Sequence, residues 1–324
     1  MMVKIKTQII VLFTVFTIFI SGFATASIIS VTLDEKIYCS DNNSSGPFSY
    51  EKMISYDFGD FIQQGIASDD NGHFFISTSI SLISGKISVA RLENNKFVKD
   101  SINGISKIDI GWHVGDPFCD EQYLFVPWIS WNVITDPNEV KCHVYSLTDL
   151  SELPNSPYNL KMNEYYLPGG SSGAFYDGYY YFSSYFPTNF DSRIYKFSFD
   201  EKIGFTYEYW SQSLGKTEVQ GIEFFDDKCY FIRDHGSDPN VYWIDTITWD
   251  KENLGRQDLK KYSGNAKGPF EGITFCKNQD KINAFFGFGN NCFESFENTN
   301  CFSESNLDCI GSLEYEKLSP GSVV

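Results

Sequence analysis

One phrase recurs along this chain, and its spacing restricts the fold more than any other feature of the sequence. In its clearest form, Lys216 to Asp234, it is a polar residue, a glycine, a short apolar run, a tight acidic turn and an aromatic strand. It returns as Gln64-Gly65-Ile66 leading to His73-Phe74-Phe75-Ile76, and as His113-Val114-Gly115 leading to Tyr123-Leu124-Phe125-Val126. Two further copies are Ser172-Gly173-Ala174 leading to Tyr179-Tyr180-Tyr181-Phe182, and Glu271-Gly272-Ile273 leading to Ile282-Asn283-Ala284-Phe285. The glycines at 65, 115, 173, 221 and 272 are spaced by 50, 58, 48 and 51 residues. Units of this length, each made of short strands, are the signature of β-propeller blades.

The strand pattern within a unit supports that reading. In the first, Gly65 to Ser68, Phe74 to Ser79, Ile87 to Leu92 and Phe97 to Ile102 are strand-like, and Asn71-Gly72 marks a hairpin. No segment sustains the i, i+3, i+4, i+7 pattern of a long amphipathic helix. The 30 Phe, 20 Tyr and 6 Trp fall mainly in strands, where broad side chains pack between tilted sheets. The expected architecture is all-β, a five-bladed β-propeller of four-stranded antiparallel blades, with six blades as the alternative. Phe48 to Phe58 is expected to complete the last sheet beside Ile310 to Lys317, which closes the ring and protects its edges.

Three segments follow in the expected domain plan. Residues 1–26 read as a signal peptide: Lys4 and Lys6, the apolar run Ile9 to Ile20, and small residues ending at Ala26. Residues 27–47 form a polar extension, and 48–324 the propeller. No later stretch is long and apolar enough to span a membrane, so the mature protein is expected to be secreted. Asn42 and Asn43, with Ser44 and Ser45, match the glycosylation pattern. All eight cysteines lie past the leader, where disulfides are expected, and Cys292 with Cys301 is the most local pairing. A net charge of -17 repels phosphate backbones, so nucleic acid is not an expected partner. An extracellular protein, a glycan or a small molecule is.

If each repeated glycine opens an innermost strand, the preceding residues meet at the axis. That places Gln64, His113, Ser172, Gln220 and Glu271 in one ring, with Asp116 and Glu223 slightly further along their strands. Such a set suits two uses. Its oxygen donors match what a divalent cation such as Ca²⁺ accepts, and His113, with an ordinary pKa near neutrality, suits a general base. A plain polar tunnel is the other reading of the same residues.

Gln64-Gly65-Ile66, Gln220-Gly221-Ile222 and Glu271-Gly272-Ile273 resemble the inner-strand openings of secreted propellers of the gluconolactonase and strictosidine-synthase-like group. That resemblance implies a calcium-dependent esterase or lactonase in which Glu271 helps hold the metal. Other motifs read as structure. Gly169-Gly170-Ser171-Ser172-Gly173 spells a nucleophile elbow but leads into a strand and reads as a flexible turn. Asp234-His235-Gly236-Ser237-Asp238 reads as a polar loop, and Asp69-Asp70-Asn71-Gly72 as a hairpin turn. His73 and His143 read as structural, and Tyr185, Trp128 and Trp131 as the aromatic residues exposed for a ligand. Two functions stand against each other: a recognition protein that holds its ligand in the axial funnel or on one face, and a metal-dependent hydrolase.

Overall fold

The computed structural model describes residues 48–56, 62–69, 71–81, 84–93, 96–111, 113–129, 139–185, 191–233, 240–258, 270–278, 281–288 and 308–315. The leader, Asn42, Asn43, Trp131, Cys292, Cys301 and the segment 234–239 lie outside them. The described strands belong to one compact unit, Ile37–Val324. No helix among the described residues is long and apolar enough to cross a membrane.

The first strand, β1 (Phe48–Tyr56), is set apart from its neighbours in sequence. The next four, β2 (Ile62–Ser68), β3 (His73–Ser81), β4 (Ser84–Glu93) and β5 (Lys96–Lys99), pair in that order, with β6 (Lys107–Asp109) also on β4. In the second sheet β7 (His113–Val114) and β8 (Phe118–Cys119) both pair with β9 (Tyr123–Ile129), followed by β10 (Val140–Ser146) and β11 (Tyr158–Asn159). A short ribbon of β12 (Lys161–Met162) and β13 (Tyr165–Tyr166) precedes the third sheet. That sheet runs β14 (Gly170–Tyr176), β15 (Tyr179–Ser184), β16 (Arg193–Asp200), β17 (Gly204–Ser213). The fourth runs β18 (Val219–Phe225), β19 (Lys228–Arg233), β20 (Asn240–Asp245), β21 (Gly255–Asp258). Finally β22 (Phe270–Asn278), β23 (Lys281–Phe288) and β24 (Asp308–Tyr315) pair in sequence, and β1 adds antiparallel to β24 from Phe48↔Tyr315 to Tyr56↔Asp308.

The fold is an all-β propeller. Its cores sit between sheets, because second strands are apolar on both faces: after Tyr123, β9 is buried along its whole length. One cluster joins Phe75, Ile87 and Val89 of the first sheet to Leu124, Val126 and Trp128 of the second. The next joins Phe118 and Phe125 to Phe182 and Phe197, with the Phe118 and Phe125 rings stacked at 4.9 Å and Phe182 edge-on to Phe118 at 5.5 Å. A third joins Ala174 and Ile194 to Ile222, Phe224 and Phe231. Outermost strands are wetter, and β17 has a single fully buried residue, Gly204.

The innermost strands touch in a cycle: β2 meets β8, β8 meets β14, β14 meets β18, β18 meets β22 and β22 meets β2. Four of them carry a bulge at the same level. The register skips one residue between Gln63 and Gly65, Gly170 and Ser172, Val219 and Gly221, and Phe270 and Gly272.

Candidate functional site at the propeller axis

These bulges fix which residues are equivalent, and they shift two of the expected positions. Gly65, Ser172, Gly221 and Gly272 each follow the skipped residue and pair with Ser77, Ser183, Ile232 and Gly287. In the second sheet His113 pairs with Ile129 and Val114 with Trp128, and Gly115 N–H donates to the Pro127 carbonyl. Pairing resumes at Phe118↔Phe125. Gly115 is therefore the bulged residue, and Asp116 stands where the other sheets have glycine or serine. An isolated parallel bridge between Asp116 and Ser172 marks the same level.

The expected ring of Gln64, His113, Ser172, Gln220 and Glu271 is corrected accordingly. Gln64, Gln220 and Glu271 share the bulged position, His113 lies two residues earlier and Ser172 one residue later. The second repeat misleads because its glycine is the bulge itself. The sign was present: Gly65, Gly221 and Gly272 are each followed by Ile, whereas Gly115 is followed by Asp116-Pro117.

At the true level, the Asp116 side chain fills the axis. It is 1% exposed, and Oδ1 accepts the Ile66 N–H at 2.9 Å. The three glycines are explained by it. A Cβ on Gly65 would overlap Asp116 Oδ1 and Cα. One on Gly272 would lie 2.6 Å from Oδ1 and 2.6 Å from Gly65 Cα, and one on Gly221 would lie 2.9 Å from Oδ2. Ser172, the fourth small residue, hydrogen-bonds Ser183 across its own hairpin at 2.6 Å. The axis is sealed here by a carboxyl group rather than open as a tunnel.

Burial dominates the electrostatics of this group. It raises the Asp116 pKa well above the ordinary carboxylate value, with Glu223 and then Glu271 adding to it by charge repulsion, while the main-chain N–H groups of Ile66 and Ile273 oppose it. Asp116 Oδ2 has no hydrogen-bond partner. Glu271 is buried and Glu223 half-buried, and Glu223 accepts the N–H of Phe224 at 2.9 Å. Three carboxyl groups thus approach one another near the axis, in three different environments.

His113 does not have the pKa a general base needs. Burial lowers it from 6.5 to about 4, so the imidazole is neutral at physiological pH and binds a proton weakly. Ca²⁺ takes six to eight oxygens at roughly 2.3–2.6 Å. Among the described residues, no three His, Cys, Asp or Glu side chains converge as metal ligands.

Other sequence readings find their places. Gly170 to Gly173 lies within β14, so the elbow-like spelling is strand rather than flexible turn. Asp69 caps its hairpin, accepting from Asn71 N and His73 N at 2.9 Å each and contacting His73 Nδ1 at 2.7 Å. His143 contacts Glu152 at 2.6 Å. Trp128 is buried between sheets, not exposed, and Tyr185 is half-buried. Cys142 and Cys229 are buried as free thiols rather than paired in disulfides.

No family model matches the chain, and no curated protein matches it in sequence. Solved structures match in fold. A glutaminyl cyclase from Myxococcus xanthus aligns with a TM-score of 0.50 at 14% identity, covering 84% of this chain and 97% of the other. A β-xylosidase/α-arabinofuranosidase from a compost microbial metagenome, in its calcium-free complex with xylotriose, aligns with a TM-score of 0.50 at 9% identity, covering 82% and 94%. A gluconolactonase from Xanthomonas campestris aligns at 0.41 and 9% identity, covering 86% and 100%. At these identities the first two show a likeness of architecture alone, in keeping with the propeller fold.

Proposed function

We propose that this is a secreted five-bladed propeller, built from residue 48 onward, that binds a small amine-bearing ligand over its Asp116-sealed axis. The cycle of inner-strand contacts supports five blades in one ring. The carrying observation is the meeting of Glu223 and Glu271 with the buried Asp116 carboxyl group. Negative charge on Glu223 and Glu271 disfavours ionisation of the buried Asp116, and a cation placed among them offsets that repulsion. Gln64 and Gln220, at the bulged position that Glu271 also occupies, add amide donors and acceptors.

The binding face is the end of the propeller at which Gln64, Gln220 and Glu271 lie. There β9, β15, β19 and β23 end near the bulges. At the opposite end the hairpin turns are short, as at Asp177-Gly178 and Asp226-Asp227.

Thermal melting with a panel of polyamines and amino-acid amides tests the reading. A ligand that raises the melting temperature of the native chain, and does so much less in Glu271→Gln, supports it. Indifference to every amine, or an equal shift in Glu271→Gln, overturns it.

A second reading is favoured by the raised pKa of the buried Asp116 near Glu223 and Glu271, since carboxyl groups in unequal environments suit acid–base work. In that reading Glu271 and Glu223 act on an ester, glycoside or amide. The fold is shared with proteins described as a glutaminyl cyclase and a glycosidase, which agrees with an enzymatic role. Turnover of lactones, aryl glycosides or glutaminyl peptides that is lost in a folded Glu271→Gln variant is its expected sign.

A further inference from the structure

A second cleft, of about 590 Å³, lies away from the axis along the outermost strand of the third sheet. Its walls are β17 and the chain from Asn155 to Asn163. Tyr158 and Phe205 line it, with ring centroids 6.2 Å apart at 90°. Gly204, at φ 90°, presses against the Tyr158 ring, where a Cβ would come within 2.6 Å of Cδ1. Tyr158 is held in turn by its hydroxyl, which donates to the Glu201 carbonyl at 2.6 Å. The aromatic floor is therefore fixed by packing and by a hydrogen bond.

Tyr209 is displayed at the rim by an irregular backbone. Tyr195 pairs with Ser211 and Phe197 with Tyr207, so three residues of β17 stand against Lys196 alone. Within this bulge Tyr209 takes φ 53°, a left-handed conformation that bulky residues adopt at a cost. The result is a tyrosine 78% exposed whose ring lies 5.4 Å from that of Tyr207. Bulges re-aim side chains, and this one turns an aromatic ring out to solvent.

The charged side chains in the described lining are Lys161 and Lys202, while Asp200 and Glu201, beside the cleft, act electrostatically on Tyr158. Amides complete the polar edge: Asn155, Asn159 and Asn163. The exposed ring of Tyr209 beside the half-buried Tyr207, with amides along the edge, matches a pyranose, which has a C–H face for stacking and hydroxyls at its edge. The lysines match an acidic group on that sugar.

We propose that this cleft binds an acidic oligosaccharide, a chain of uronate-type sugars, with Tyr207 and Tyr209 stacking on the rings and Lys202 pairing with a carboxylate. It is independent of the axial ligand, so Glu271→Gln is expected to bind the sugar as the native chain does.

Calorimetric titration with oligogalacturonate tests this, with neutral xylohexaose and hexaglutamate as comparators. The native chain is expected to bind oligogalacturonate more tightly than either comparator, and more weakly as salt rises. Tyr209→Ala is expected to weaken binding about tenfold, as loss of one stacked ring does. Lys202→Met is expected to weaken it about tenfold through loss of a charged hydrogen bond. Tyr165, 76% exposed and outside this lining, provides the control: Tyr165→Ala should change nothing. Absence of binding, equal binding of xylohexaose or hexaglutamate, or unchanged affinity in a folded Tyr209→Ala variant overturns the proposal.

Discussion

The Asp116 carboxylate oxygen Oδ1 accepts a hydrogen bond from the Ile66 main chain at 2.9 Å, across 50 residues of sequence and between two sheets. This contact links the inner strands of neighbouring sheets at the axis, and its consequences can be separated by pH. The folded pKa of Asp116 is raised, so the group favours the folded state most fully below its unfolded pKa of about 4. That contribution is lost as pH rises through the folded value. Asp116→Asn keeps the shape and removes the titration. The stability of the variant relative to the native chain is therefore expected to increase from pH 4 to pH 8 in urea melts. A difference constant over that range would show that Asp116 does not titrate above its ordinary value in the folded protein.

Steric predictions distinguish the hub glycines. Gly65→Ala drives a methyl group into Asp116 Oδ1 and Cα and to within 2.8 Å of Pro117 Cδ, so main chain must move. A loss of about 3 kcal/mol is expected, the upper part of the overpacking range. Gly221→Ala meets side chains only, Asp116 Oδ2 at 2.9 Å and Ile232 at 3.0 Å, and about 1 kcal/mol is expected. Shortening the acid in Asp116→Ser should recover part of the Gly221→Ala loss and little of the Gly65→Ala loss. A double-mutant cycle by denaturant melting measures both couplings, and equal recovery at the two positions would contradict this packing.

The repeat and the strand alternation were legible in the sequence because the phrase encodes them locally: a small residue where inner strands crowd, a tight turn, then an apolar strand. The axial residues were legible only within one position. A bulge inserts a residue without changing composition, so Gly115 and Gly173 look like Gly65 while occupying different levels. Asp116 was in view but not its role, since only the cycle of strands reveals that Gly65, Gly221 and Gly272 face the same carboxyl group. Trp128 was misplaced for a related reason. An aromatic residue near a strand end reads the same whether it faces solvent or the next sheet.

His113 is expected to oppose Asp116 in the pH dependence of stability. Its folded pKa of about 4 lies below the ordinary 6.5, so the unfolded chain binds a proton first as pH falls. Stability is fully present above pH 6.5 and declines between pH 6.5 and 4, by up to about 3 kcal/mol for a shift of this size. His113→Gln should flatten that limb. Ring-proton NMR should place the His113 midpoint near 4, and a midpoint near 6.5 would restore it as a candidate base.

Thiol reactivity gives the last test, and it bears on the cysteines rather than the axis. Burial raises the pKa of Cys142 and Cys229 strongly, and both are 0% exposed, so each is a poor nucleophile in the folded protein. Under non-reducing native conditions, a maleimide probe followed by peptide mass mapping is expected to leave both unlabelled. Cys142 and Cys229 should be labelled only after denaturation, and at that stage without a reductant. If they remain unlabelled until a reductant is added, these residues are paired in disulfides, and the packing of their free thiols in the cores between sheets is wrong.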